Sequence, residues 1–315
     1  MSKIFTLLLM LIVAGALVIV DQSPQDCSVF YVVGDDLFST VDRAGAFKFT
    51  QITFALLDKI QRLKGRISTG EYAVHKGDTI IDVLIRMFTE QRVIRKFTIP
   101  PGWTVYKIIK KIQEDDLLFG EVSSLPAEGE LMPDTYYYCF GDKKESIIKK
   151  ARNQMRLVMA SLQEDIEKCT ASTGLSLNEI LIMASIIEKE TASDEERSIV
   201  SSVFHNRLRK KMRLESCPTV IYTVSNGQGT IHRDLTKDDL KSESKFNTYR
   251  NVGLPPTPIC NPSKRSIIAA ANPAQTEYLF FVAKPEGNGH NFSKTYDEHL
   301  KEVKLLRESR KNVMQ

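Results

Sequence analysis

Residues 176–191 read SLNEILIMASIIEKET, a segment dominated by Leu, Ile and Met that ends in two carboxylates, Glu188 and Glu190. Ser176 and Glu179 stand three apart, the spacing of a capping box, and open a helix. At about 100° per residue this helix is apolar almost all round, so it is expected to be buried. Glu190 falls inside the arc of Met183, Ile186 and Ile187. Glu188 falls about 160° from it, beside Leu181, and Lys189 points away from both. A carboxyl among apolar side chains has its charged form disfavoured, so its pKa rises. Such a group stays protonated near neutral pH, as a general acid must. The competing placement for Glu190 is the solvent-facing end of the helix. Two carboxylates on well-separated faces do not form an acid/base pair across one cleft.

The neighbouring elements must position this helix. Ser193-Asp194-Glu195-Glu196 reads as a second capping box, opening a helix through Ile199, Val200, Val203, Phe204 and Leu208. Its end is basic, with His205, Arg207, Arg209, Lys210, Lys211 and Arg213. That charge reads as a solvated face complementing the helix dipole rather than as a nucleic-acid contact. Ser28 to Val33 reads as a strand, Gly34-Asp35-Asp36 as a turn, and Phe54, Leu56, Leu57, Ile60 and Leu63 recur at helical spacing. Gly70 to Val74 is a strand candidate, followed by a turn at Lys76-Gly77-Asp78-Thr79 and a helix with Ile80, Ile81, Val83, Leu84, Met87 and Phe88 on its apolar face. Val93 to Ile99 is a further strand that Pro100-Pro101-Gly102 ends. Thr104 opens a helix with Val105, Ile108, Ile109 and Ile112 on one side. This order resembles a LysM-like module, a small fold that binds N-acetylated glycans. Residues 113–129 are acidic and loop-like. Tyr136 to Tyr138 is either strand core or a set of platforms for sugar rings. Ser146 to Ile166 reads as one long amphipathic helix, and Tyr278 to Val282 as a strand.

Composition narrows the function classes. A net charge of +4 over 315 residues is too small for a nucleic-acid footprint. Ile4 to Val20 runs seventeen residues without a charge, close to the lower limit of about 17 for crossing a bilayer. Ala14-Gly15-Ala16 resembles a signal-peptide cleavage site, but Leu17 to Val20 continue the apolar run past it. An uncleaved signal anchor with an inside N-terminus is therefore expected, with residues 21–315 exported. Cys27, Cys139, Cys169, Cys217 and Cys260 are widely spaced without a C-x-x-C, so no zinc or thioredoxin-type site is supported. No phosphate loop, metal cluster or organic cofactor is implied.

Several long stretches carry a family resemblance. LIMASIIEKETASDEERSIVSSVFHNRLRKKMRLESCPTVIY, FNTYRNVGLPPTPICNPSKRSIIAAANP, YLFFV and GHNFSKTYDEH follow one another. With the anchor, GEYAVHKGDT, TIPPGWT and MPDTYYY in order before them, the chain resembles the MltG (YceG-like) endolytic peptidoglycan transglycosylases over nearly its whole length. The resemblance implies cleavage inside glycan strands at the bond between N-acetylmuramic acid and N-acetylglucosamine. The product ends in a 1,6-anhydro sugar, no water is consumed, and nascent strands are terminated. It implies that Glu190, the second Glu of EKET, is the catalytic acid and base. It places Glu188, Asn206, Thr219, Tyr222, Asn247, Tyr249 and His290 at other motif positions, as substrate-cleft residues. It also implies partnership with peptidoglycan synthases at the cytoplasmic (inner) membrane, the catalytic domain facing the extracytoplasmic side. Cys217 stands where an Asp is common, Thr257 and Ser263 where Gly is often found, and Pro101 where a Glu is usual.

One carboxylate is chemically sufficient for that reaction. Ordinary glycosidases flank the bond with two, whereas here the C6 hydroxyl of the substrate itself attacks, with the high effective molarity of an intramolecular nucleophile. The expected fold is α+β: an anchor at 1–20, an N-terminal subdomain at 21–66, a LysM-like glycan-binding module at 67–120, and a mixed catalytic domain at 121–315. Two alternatives remain at this point. A non-catalytic scaffold would bind strands and recruit synthases, and an ordinary muramidase would bring up Glu188, Asp134 or another acid as a second carboxylate.

Overall fold

In the computed structural model, residues 27–32, 70–75, 82, 85, 86, 89–287 and 289–313 are described. The anchor, the turn at 76–79, the helical spacing at 54–63 and the apolar face expected over 80–88 lie outside them. Among the described residues no single helix is long and apolar enough to cross a membrane.

The chain divides into two compact units whose boundaries interleave. The first holds residues 1–97, 115–121 and 137–144, and the second holds 98–114, 122–136 and 145–315. This grouping differs from the linear boundary expected at 120. The helix after TIPPGWT belongs to the second unit, together with the segments that bind its N-terminus.

In the first unit β1 (Cys27–Val32) pairs antiparallel with β2 (Gly70–His75), from Cys27 opposite His75 to Val32 opposite Gly70. Glu71 is fully buried, and the Arg95 guanidinium meets both of its carboxylate oxygens. A buried carboxylate needs such a bidentate partner. β3 (Ile94–Thr98) pairs with β4 (Thr135–Cys139), and the unit boundary passes through both strands. In β4, Tyr136 and Tyr138 are buried while Tyr137 is 54% exposed. The strand period of two thus separates core from surface within the tyrosine run.

The second unit is mostly helical. α1 (Val105–Gln113) buries Val105, Ile108, Ile109 and Ile112, the face its periodicity predicts. The expected single helix over 146–166 is two: α2 (Lys144–Ser161) and α3 (Gln163–Thr173). Ser161 Oγ turns back onto the Val158 carbonyl, and Leu162 leaves helical geometry to bury its side chain in the core. α4 (Leu177–Glu190) runs through that core with Ile180, Met183, Ile186 and Ile187 fully buried. It packs on α5 (Arg197–Arg209) and α7 (Lys264–Ala271), which contribute Val200, Phe204, Ile267 and Ala270, and also meets α6 (Cys217–Val224). β5 (Phe280–Ala283) and β6 (His290–Ser293) form a hairpin, and α8 (Tyr296–Val313) follows. Among the described residues the fold is thus α+β with small two-stranded sheets.

Asn261 ties three distant segments of this unit together. Its Oδ1 accepts from the Gly129 and Leu131 amides at 3.1 and 3.0 Å, and its Nδ2 donates to the Trp103 carbonyl at 3.0 Å. The preceding residues lie along α4, where Ile259 N donates to Ser185 Oγ at 3.0 Å. Gly129 has a φ of +85°, and a Cβ there would sit 2.8 Å from Pro258, so the close approach needs glycine. Thr104, the N-cap of α1, makes no side-chain cap; Glu128 accepts from the Val105 amide at 3.0 Å instead.

Burial pushes the Glu128 carboxyl from an ordinary 4.5 up to about 7, against the lowering effect of that amide. A raised folded pKa means stability that is complete below the unfolded value and lost as pH rises through about 7. The rise corresponds to roughly 3 kcal/mol. Glu128→Gln keeps an acceptor for Val105. Urea unfolding is expected to show it more stable than wild type by about 3 kcal/mol near pH 9 and equal to it near pH 4.

Candidate active site

Glu190 is the last residue of α4. The helix is anchored at its other end by the expected capping box, in which Ser176 Oγ accepts from Glu179 N and the Glu179 carboxylate accepts from Ser176 N at 2.8 Å. Glu190 is partly exposed, and its Oε1 accepts a hydrogen bond from Ser216 Oγ at 2.5 Å. Burial raises its carboxyl above the ordinary carboxylate range. The Ser216 hydrogen bond opposes that rise, followed by the charges of His290 and Arg207. The direction agrees with the placement of Glu190 in the apolar arc of its helix.

Ser216 occupies the N-cap position of α6, yet its side chain makes no cap. The hydroxyl turns to Glu190. Its backbone is locked on both sides, with Ser216 N donating to Thr248 Oγ1 at 3.0 Å and Thr219 Oγ1 donating to the Ser216 carbonyl at 2.7 Å. The Thr219 and Thr248 hydroxyls lie 2.9 Å apart, and both residues are buried. Thr219 therefore underpins Ser216. Asn247, also buried, donates to the carbonyls of Leu240 and Ser242 and accepts from Tyr249 N at 3.0 Å, so it shapes the loop that carries Thr248 and Tyr249. The Tyr249 hydroxyl lies 3.0 Å from Cys217 Sγ. Burial raises both groups above their ordinary values, and the charge of Glu190 adds to each. Tyr222 packs on Phe246 at 5.0 Å between ring centres, and burial pushes its phenol up to about 12.

Arg207 and His290 supply positive charge near Glu190. Arg207 is buried, donating to the carbonyls of Leu279, Arg213 and Leu214 and meeting Glu215 Oε2 at 3.3 Å. His290 opens β6, and both its backbone N and its Nδ1 lie 2.8 Å from the Glu196 carboxylate. Burial raises the Glu196 carboxyl, but the bonds and charge of His290 outweigh it and the net direction is down. A Cβ at Gly289, where φ is +91°, would collide with that carboxylate. The capping box expected at 193–196 is accordingly not formed. Glu196 stands at the N-cap of α5 with its side chain committed to His290, and Asp194 is held by Arg197 and Arg265.

The remaining expected cleft residues are placed apart from Glu190. Glu188 faces α7, where its Oε2 accepts from Ser263 N, Ser263 Oγ and Ser266 Oγ at 2.9, 2.5 and 2.7 Å and meets Arg197 at 3.7 Å. Asn206 donates to the carbonyls of Thr276 and Tyr278 and accepts from Arg209, which uses its whole amide inside the fold. The structure thus gathers Glu190, Ser216, Cys217, Tyr249, Arg207 and His290. Sequence reasoning does not single out Ser216, because a serine just before Cys-Pro at a helix start reads as a cap. Nor does it single out Glu196, which reads as half of a capping box. Among the described residues no cluster of His, Cys, Asp and Glu could hold a metal ion, and Cys139, Cys169, Cys217 and Cys260 carry free thiols.

An endolytic murein transglycosylase of Bacillus subtilis (strain 168) is 39% identical over 178 residues, covering 56% of this chain and 47% of its own length. One from Streptococcus pneumoniae serotype 2 (strain D39 / NCTC 7466) is 25% identical over 311 residues, covering 85% and 55%. The chain spans about half the length of the curated relatives it matches. A crystal structure of a YceG-like protein from Listeria monocytogenes is similar with a TM-score of 0.57 at 27% identity, covering 88% of this chain and 98% of that one. Residues 34–305 match the YceG-like family, an extent that takes in every side chain gathered around Glu190, and the chain belongs to that family.

Proposed function

We propose that this chain is an endolytic murein transglycosylase that cuts peptidoglycan strands between N-acetylmuramic acid and N-acetylglucosamine. The observation that carries the reading is a single carboxyl, Glu190, raised by burial and held through one oxygen. Its support is the family and the activity for which the relatives are named. Protonated Glu190 donates to the glycosidic oxygen as the C1–O bond breaks. The carboxylate then takes the proton of the C6 hydroxyl of the same muramic acid as O6 bonds to C1. The product is a 1,6-anhydro end, and Glu190 is returned protonated with no water consumed.

The other nearby carboxylates favour this reading over a muramidase. Glu188 is bound by two serines and faces Arg197, Glu196 by His290, and Glu215 by Arg207. A hydrolase needs one of them beside the bond as base or nucleophile. The LysM-like glycan binding expected of residues 67–120 rests in this proposal on the part of them up to residue 97, in the first unit. Residues 4–20 act as the membrane anchor, which sets the catalytic residues on the extracytoplasmic side beside peptidoglycan synthases that supply nascent strands.

Two outcomes test the proposal. With the full chain and uncross-linked glycan, mass spectrometry is expected to show anhydro-terminated fragments, and Glu190→Gln is expected to lower their formation by at least about 10³-fold. Intact bound strands from the wild type would instead indicate a scaffold, and fragments one water heavier a muramidase. Stability supplies the second test. Because the folded pKa of Glu190 is raised, its contribution is present at low pH and lost as pH rises through that value. The Gln variant is therefore expected to melt above wild type near pH 9 and together with it near pH 4, as read by differential scanning calorimetry.

A further inference from the structure

We propose that Ser216 is a positioning residue that decides which oxygen of Glu190 handles the proton, by holding Oε1 so that Oε2 meets the substrate. This rests on the reading of Glu190 as the acid and base. Three observations carry it. First, Ser216 stands at an N-cap, where a serine hydroxyl ordinarily accepts from a free helix amide, and its hydroxyl instead reaches Glu190 Oε1 at 2.5 Å across 26 residues of sequence. Second, Ser216 is buried, and Thr248 and Thr219 hold its backbone in place through its amide and its carbonyl. Third, among the described residues no hydrogen bond reaches Oε2, although Glu190 is partly exposed.

The geometry assigns the proton's path. In the resting acid the proton sits on Oε2, and Ser216 donates to Oε1. As the Oε2 proton passes to the glycosidic oxygen and the C1–O bond breaks, negative charge spreads over both carboxylate oxygens. The Ser216 bond strengthens at that moment, which is when a fixed donor aids the rate. Oε2 then takes the C6 hydroxyl proton as the O6–C1 bond forms, and the starting state is restored. The other groups around Glu190 are Arg207 from α5, His290 from β6, Cys217 from α6 and Tyr249 from the loop after Asn247. In the structure these act on Glu190 through space, and Ser216 alone among the described residues hydrogen-bonds to it.

The test uses the full chain with Ser216→Ala and Ser216→Thr, following anhydro-product formation against pH. Ser216→Ala is expected to lower kcat at neutral pH by roughly tenfold to a hundredfold with KM within about twofold. The alkaline limb of kcat is expected to move up by about one pH unit, because a donor to the charged form is lost. Ser216→Thr, which keeps the hydroxyl, is expected to restore most of the rate and return the limb. A titration without substrate removes dependence on turnover. The carboxyl ¹³C signal of Glu190, assigned by its absence in Glu190→Gln, should titrate higher in Ser216→Ala than in wild type. An unmoved limb and an unmoved carboxyl titration overturn the proposal, as does a loss confined to KM. Full activity of Glu190→Gln would instead overturn the assignment of Glu190 itself, so the two failures are told apart.

Discussion

A half-buried carboxyl at the end of an apolar helix is the constraint around which the second unit is organised. α4 is hydrophobic on nearly every side, so it must be enclosed, and α5, α7 and the segment before Asn261 enclose it. Enclosure makes the ionised form of Glu190 costly. Ser216, His290 and Arg207 oppose that cost without cancelling it. A carboxyl poised between the two pressures can release a proton and recover it, which is what one group serving as both acid and base has to do.

Two helix starts near Glu190, those of α6 and α5, have N-cap side chains that make no cap. Ser216 precedes α6 and Glu196 precedes α5, and the side chains of both face the region of Glu190, one directly and one through His290. A lost cap costs about 1 kcal/mol. Helices packed as these are can absorb that, because tertiary contacts supply most of a short helix's stability in a protein. Local preference yields to the site in both places, and such departures are where function is to be sought.

The carboxylates that leave the site are as informative as the one that stays. Glu188 sits two residues from Glu190, yet the turn of the helix aims it at α7, where Ser263 and Ser266 satisfy it beside Arg197. Ser263 does double service there, since its hydroxyl also accepts from Ser266 N as the N-cap of α7. The EKET motif thus sends one acid to fasten two helices and the other to the reacting bond of the proposed chemistry.

Much of the fold was legible in local pattern. The capping box at Ser176, the all-round apolar helix, the separation of Glu188 from Glu190 and the buried face of α1 all follow from the spacing of neighbouring side chains. Period is a property of neighbouring residues, so one sequence suffices to read it. The break at Leu162, the unused caps, the inward amides of Asn206 and Asn247, and the role of Thr219 were not legible. Each depends on which of several competent polar partners comes within reach, and those partners lie far apart along the chain: 26 residues for Ser216 and Glu190, 94 for Glu196 and His290. By itself the sequence determined which helix face carries the acid. Only the tertiary structure decided which hydroxyl and which charges meet it, because hydrogen bonding is settled by position in space and not by spacing in sequence.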